Sequence, residues 1–373
     1  MSRKSPCLPL LLILGAMLCA IPVHGCSVPV FRYALEHWTA APFQAFVFHR
    51  GPLTDAQQAA ARDLGQDGLA GKLHANVSVR TVDLNEDPAP ELIESSGGTA
   101  GTPLPWLVVR FPASNRRSAV IWSGPLSTVG VAQLLDSPAR KEMVRRITEG
   151  ESAVWVLLES GDAAKDAAAA ELIEGRLKYL ESVLELPKLD AQDIANGLVS
   201  VGQEGLRLGF SLLRLSRDDP RERPFIQMLL GSEADLEEMN SPIVFPIFGQ
   251  GRALYALAGG GIGQETIDKA ATFLIGKCSC EVKELNPGVD LLLAADWKVI
   301  VESQAAGIPD LPTMADLTKS APVTVTISGH RAAKVSGDSS PVGTRSPIGI
   351  WAIIGAIAVA ALLVARLVAR RGN

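Results

Sequence analysis

Apolar runs of strand length alternate with helix-period stretches through the middle of this chain, and the same succession occurs twice. In the first pass, residues 44–49 form an apolar strand and Arg50-Gly51-Pro52 a turn. Thr54, with Gln57 three residues on, is a capping box for a helix carrying Ala59, Ala60 and Leu64. Residues 77–82 alternate as a second strand, and residues 83–88 lead toward a short helix starting near Glu91. A strand over 107–109, a turn at 114–116 and a partner strand over 119–122 make a hairpin. A closing helix is expected over 128–147, broken or bent at Pro138.

The second pass repeats that order. Residues 153–158 are an apolar strand, Ser160-Gly161-Asp162 a turn, and 163–186 a long helix with Leu172, Ile173, Leu177, Leu180 and Leu184 on one face. Asp190 caps an inserted helix expected to bury Ile194, Leu198 and Val201. Residues 209–215 are the next strand, Asp219-Pro220 repeats Asp87-Pro88, and 225–230 is the short helix. Asn240-Ser241-Pro242 enters a strand over 243–248, Gly249-Gln250-Gly251 turns it, 252–258 returns, and 265–275 closes the unit.

Strand–helix–strand–helix followed by a hairpin and a final helix resembles the thioredoxin fold. Three local stretches carry the same resemblance. Residues 82–88 are similar to the family's stretch from a strand-ending Asp to a Pro. Gly101-Thr102-Pro103 resembles the Gly-x-Pro before the family's hairpin, and Ser241-Pro242 with residues 248–251 resembles the same place in the second copy. The resemblance covers 43–150 and 151–277. It implies an α/β protein of two tandem thioredoxin-like domains, with Pro103 and Pro242 as candidate cis-prolines shaping a groove.

Thioredoxin chemistry places Cys-x-x-Cys at the start of the first helix, where the helix N-terminus lowers a thiol's pKa. The matching positions here are Arg50-Gly51-Pro52-Leu53 and Ser160-Gly161-Asp162-Ala163, without sulfur. Dithiol exchange at those positions is excluded by composition. The resemblance implies redox-inactive domains of the kind that serve as platforms for partners.

The two ends set the expected compartment. Arg3 and Lys4 precede an apolar run over 8–21 and a small-residue site before Cys26, so residues 1–25 read as a signal peptide. Val23-His24-Gly25-Cys26 also loosely matches a bacterial lipobox, which makes Cys26 a possible lipidation site. Residues 348–365 carry no charge and, at ~1.5 Å each, span about 27 Å of helix. Trp351 lies at one edge and Arg366, Arg370 and Arg371 follow, placing the bulk of the chain outside. The expected layout is signal 1–25, N-terminal segment 26–42, first domain 43–150, second domain 151–302, flexible stalk 303–346, transmembrane helix 347–366 and cytoplasmic tail 367–373. The expected location is the bacterial inner membrane, single-pass, with the bulk periplasmic.

Charge and cysteine usage narrow the chemistry. A net charge of −5 without a basic stripe gives no footprint for nucleic acid. Three of the five cysteines lie beyond the signal: Cys26, Cys278 and Cys280. An exported compartment permits a structural disulfide, Cys26 to Cys278 or Cys280. The alternative is a thiol-redox or soft-metal site on Cys278 and Cys280 with Cys26, although structural zinc usually takes four ligands. Phe31, Leu35 and Trp38 recur at helical spacing, the mark of an N-terminal helix packed on the first unit or of a docking peptide.

His49, at the end of the first strand, is expected to be structural. Asp83, Glu86, Asp87 and Glu91 suit turn capping better than a metal. The glycines over 259–263 lack a Walker lysine, so they read as a loop. No cofactor is called for. The expected partners are the membrane and a protein in a membrane complex, with a non-catalytic interaction or scaffolding role.

Overall fold

The computed structural model describes residues 26–65, 74–86, 88, 103–113, 119–278 and 282–306. The expected signal, the helix near Glu91, the turn at 114–116, Cys280 and nearly all of the stalk, span and tail lie outside these residues. The described residues form one compact mixed α/β body.

The first half holds a four-stranded sheet ordered β2-β1-β3-β4. Its strands are β1 (Phe43–His49), β2 (Val77–Asp83), β3 (Trp106–Arg110) and β4 (Val120–Pro125). β1 runs parallel to β2 and antiparallel to β3, and β3 pairs antiparallel with β4. The second half repeats this with β5 (Ala153–Leu158), β6 (Phe210–Leu215), β7 (Ile243–Phe248) and β8 (Arg252–Ala253), followed by β9 (Leu257–Ala258) and β10 (Val289–Asp290). β5 is parallel to β6 and antiparallel to β7, while β8 lies between β7 and β10.

The helices, in chain order, are α1 (Val30–His37), α2 (Asp55–Leu64), α3 (Thr128–Leu135), α4 (Pro138–Thr148), α5 (Ala163–Val183), α6 (Ala191–Ala195), α7 (Arg223–Leu230), α8 (Gln264–Ile275) and α9 (Trp297–Ala305). Thr54 and Gln57 form the expected capping box of α2. The single helix expected over 128–147 is two, because Pro138 cannot continue α3 but suits the first turn of α4. The expected return strand over 252–258 is also split. Pro246 lacks an N–H in the middle of β7, and the pairing slips by one residue between the β8 and β9 contacts. Ile194 is 41% exposed and α6 buries nothing; of the residues expected inside, Val201 is buried and Leu198 partly so, and Val199 joins them in the core. α9 runs to Ala305, so the folded part extends past the stalk boundary expected at 303.

Two chain segments cross between the halves. α1 packs on the second half rather than on the first. Its Phe31, Tyr33 and Ala34 join Trp155, Phe248 and α8 residues in one apolar cluster, and Trp38 stands edge-on to Phe248 at 6.3 Å. Arg32 ties α1 to α9 through Gln304 (2.6 Å), and Glu36 accepts from Ser200 N at 2.7 Å. In the other direction, the stretch after β10 returns to the first half. Asn76 donates to Ala41 O (2.9 Å) and Leu291 O (3.1 Å) and accepts from Leu293 N (3.1 Å). Ala295 N donates to His74 O at 2.9 Å.

The larger core therefore belongs to both halves. Phe43, Val109 and Phe111 share it with Val156, Phe225, Phe245, Leu291 and Leu293. Gly231 permits a close approach between the halves: a Cβ there would lie 2.7 Å from the Phe111 ring. Replacing Asn76 with Ala strands the Leu293 N–H and two carbonyls. The expected cost is about 1–3 kcal/mol, read as a lower urea midpoint with an unchanged slope.

Candidate functional site

The loops after β1 and β5 are the stretches where the sequence resemblance looks for a dithiol, and in each a carboxylate of the chain accepts from backbone N–H groups. After β1, Asp83 at the end of β2 accepts from Asn85 N at 2.9 Å and Gly51 N at 3.3 Å. His49 Nδ1 lies 2.7 Å from Gly51 O, which gives the histidine a structural role in the turn. The Asn85 N–H, followed by that of Gly51, holds the Asp83 carboxyl below the ordinary aspartate value. Of the acidic group around it, Asp83 serves as a turn cap; Asp87 and Glu91 lie outside the described residues.

After β5 the arrangement is tighter. Asp166, 4% exposed in the first turns of α5, accepts from Ser160 N (2.8 Å), Ser160 Oγ (2.8 Å) and Gly161 N (3.0 Å). Asp162 caps the same helix by accepting from Ala164 N and Lys165 N. Its carboxyl is held low, first by the Lys165 side chain and then by the Lys165 N–H. A substrate anion would compete with built-in carboxylates in both loops.

The cysteines meet elsewhere. An isolated antiparallel bridge pairs Pro29 with Lys277, flanked by Cys278 N donating to Val28 O (2.8 Å) and Val30 N donating to Gly276 O (2.9 Å). That register sets Cys278 opposite Val28, which stands two residues from Cys26 in sequence. Cys26 is 6% exposed and Cys278 1%, both in the apolar cluster with α1 and α8. Ser27 between them is fastened by Asp193 (2.6 Å) and Asp190 N (2.7 Å). No disulfide is formed among the described residues, and Cys280 lies outside them. Among the described residues no group of three or more His, Cys, Asp or Glu is placed to hold a metal.

The cis peptide bond among the described residues is Leu104–Pro105, its proline two residues past the expected Pro103 of Gly101-Thr102-Pro103, at the entrance to β3. The bond preceding Pro103 starts from Thr102, outside the described residues. Ser241–Pro242 is not cis.

Sequence reasoning missed the buried ion cluster that follows the cysteine region. Asp290 accepts from Arg252 Nη1 (3.0 Å), Lys283 Nζ (2.6 Å) and Ala41 N (2.9 Å). Arg252 also donates to Pro287 O and Asn286 O, and Lys283 to Thr39 O. Ala41 and Asp290 lie 249 positions apart, and no local pattern links these residues.

Compared with known proteins, the chain matches no family model and no curated sequence. Among the described residues no helix is long and apolar enough to cross a membrane.

Replacing Asp166 with Ala should lower stability by about 1–3 kcal/mol and accelerate amide exchange at Ser160 and Gly161. Asp83 has a depressed folded value, so its contribution is present above the unfolded value and lost as pH falls through the folded one. Asp83→Asn should therefore flatten the acid limb of the stability curve below about pH 4, measured by urea unfolding across pH.

Proposed function

We propose that this chain is an exported, membrane-anchored, non-catalytic interaction or scaffolding protein built on two thioredoxin-like halves. The matching strand order β2-β1-β3-β4 and β6-β5-β7-β8, with the same parallel and antiparallel pairings, supports the kinship of the halves. The observation that carries the functional reading is the state of the two vestigial loops. Neither has sulfur, and Asp83 and Asp166 fill the places where an attacking group or substrate anion would be stabilised. Export and anchoring rest on the hydropathy and charge of residues 1–25 and 347–371.

A scaffold of this kind should retain a partner. Affinity capture of the full chain from a mild detergent extract is expected to recover a stoichiometric protein. Recovery of the chain alone, in repeated gentle extractions, overturns the reading. Added protease should digest the bulk from the periplasmic side and spare only the tail.

A second reading is favoured by the meeting of Cys26 with Cys278, which are 252 positions apart in sequence, inside one cluster. Here the three cysteines serve as a thiol-redox or metal-handling group, or as a disulfide that fastens the N-terminal segment to the second half. Burial of Cys26 at the base of α1 favours these uses over acylation. Thiol counting on the mature protein with and without reductant, together with its intact mass, separates them. No reducible bond, no reactive thiol and no bound metal would end this reading.

A further inference from the structure

We propose that the α-ammonium created at Cys26 by removal of the signal is held by the carboxylate of Asp193, so that processing completes the docking of the N-terminal segment on the second half. This rests on the export reading above and gives that cleavage a structural consequence. Hydrolysis of the Gly25–Cys26 bond consumes one water, leaves a carboxylate on the departing signal and leaves an ammonium on Cys26. A chain that still carries its signal has a neutral amide in that place.

A carboxylate stands within reach of that nitrogen. Ser27 N and Ser27 Oγ both donate to Asp193 Oδ2 at 2.6 Å. Asp190 N donates to Ser27 Oγ at 2.7 Å, so the hydroxyl is fixed from both sides. Ser27 is buried, and Asp193 is half-buried in α6. One residue of chain spans at most about 3.6 Å, which puts the Cys26 nitrogen within about 6 Å of the oxygen that Ser27 N already meets. At that separation opposite charges favour one another.

The first residues of a domain fray unless they are tied down. These are held along their length. Cys278 N donates to Val28 O at 2.8 Å, Val30 N donates to Gly276 O at 2.9 Å, and Pro29 pairs with Lys277. Val28 is fully buried, and Val30 opens α1, whose Phe31, Tyr33 and Ala34 join the apolar cluster of the second half. The path into α1 is therefore fixed, and Asp193 stands where that path begins. An ion pair closed in such a half-buried place is screened less than one in open water.

The test is hydrogen exchange, read by mass spectrometry, on the full processed chain in dodecyl maltoside at pH 6.5, below the ordinary α-amino value of about 7.7–8.0. The forms compared are the native start, Asp193→Asn, one alanine inserted between Gly25 and Cys26, and both changes together. The alanine moves the ammonium one residue away and leaves Ser27 and Asp193 in place, while asparagine keeps an acceptor for Ser27. Asp193→Asn should speed exchange at Val30 and Cys278, whose N–H groups hold the segment, about fivefold more in the native start than in the extended one, the upper scale of a surface ion pair. Equal effects in both backgrounds overturn the proposal, because Asp193 then serves Ser27 alone. Should Asp193→Asn fail to fold, the alanine insertion by itself must speed the same exchange, and unchanged exchange overturns the proposal. Intact mass separates the two readings. A chain that starts at Cys26 and shows no coupling, or one acylated on the Cys26 nitrogen, removes the ammonium contact and leaves export standing; a chain that keeps residues 1–25 removes the processing itself.

Discussion

Asn76 is bonded on three sides, to Ala41, Leu291 and Leu293, and through it the chain leaving the second half is stitched to the first. α1 makes the opposite crossing and lies against β7 and α8 of the second half. Neither half keeps its own ends. Phe43, Phe111, Phe225 and Leu291 consequently occupy one core, and separating the halves would expose it to water. The two repeats of the element order thus make one folding body.

The same crossing explains the buried charges. Where β10 meets β8 and residues 39–41 pass beside them, Arg252, Lys283 and Asp290 are all withdrawn from solvent. Such a cluster survives burial only when every charge is paired and the remaining donors find carbonyls. Here they find Pro287, Asn286 and Thr39. Arg140 plays a comparable part at the base of α4. It donates to Gln133 O, Leu134 O and Leu292 O, and burial draws its pKa down to about 10. Arg140 and Arg252 each hold backbone carbonyls in place near where segments from the two halves meet.

What stands at the loops after β1 and β5 fits a structural role. Backbone N–H groups at a helix start attract negative charge, and in a reactive protein they would stabilise a thiolate or a bound anion. Here Thr54 and Asp162 cap the helix starts, and the turn N–H groups ahead of them are taken by Asp83 and Asp166.

The elements themselves were legible from local signals. Short apolar runs marked β1 and β5, period-two alternation marked β2, the Thr54–Gln57 box marked the start of α2, and Pro138 marked the break before α4. These depend on residues within a few positions of one another, whose backbone preferences act in any context. Which half α1 would choose, that Ile194 would face water, that Asp166 would turn back onto Ser160, and that Cys26 and Cys278 would share one buried cluster were decided only by tertiary structure. Each of those outcomes depends on a surface assembled from distant stretches, and its free energy exists only once those stretches have been brought together.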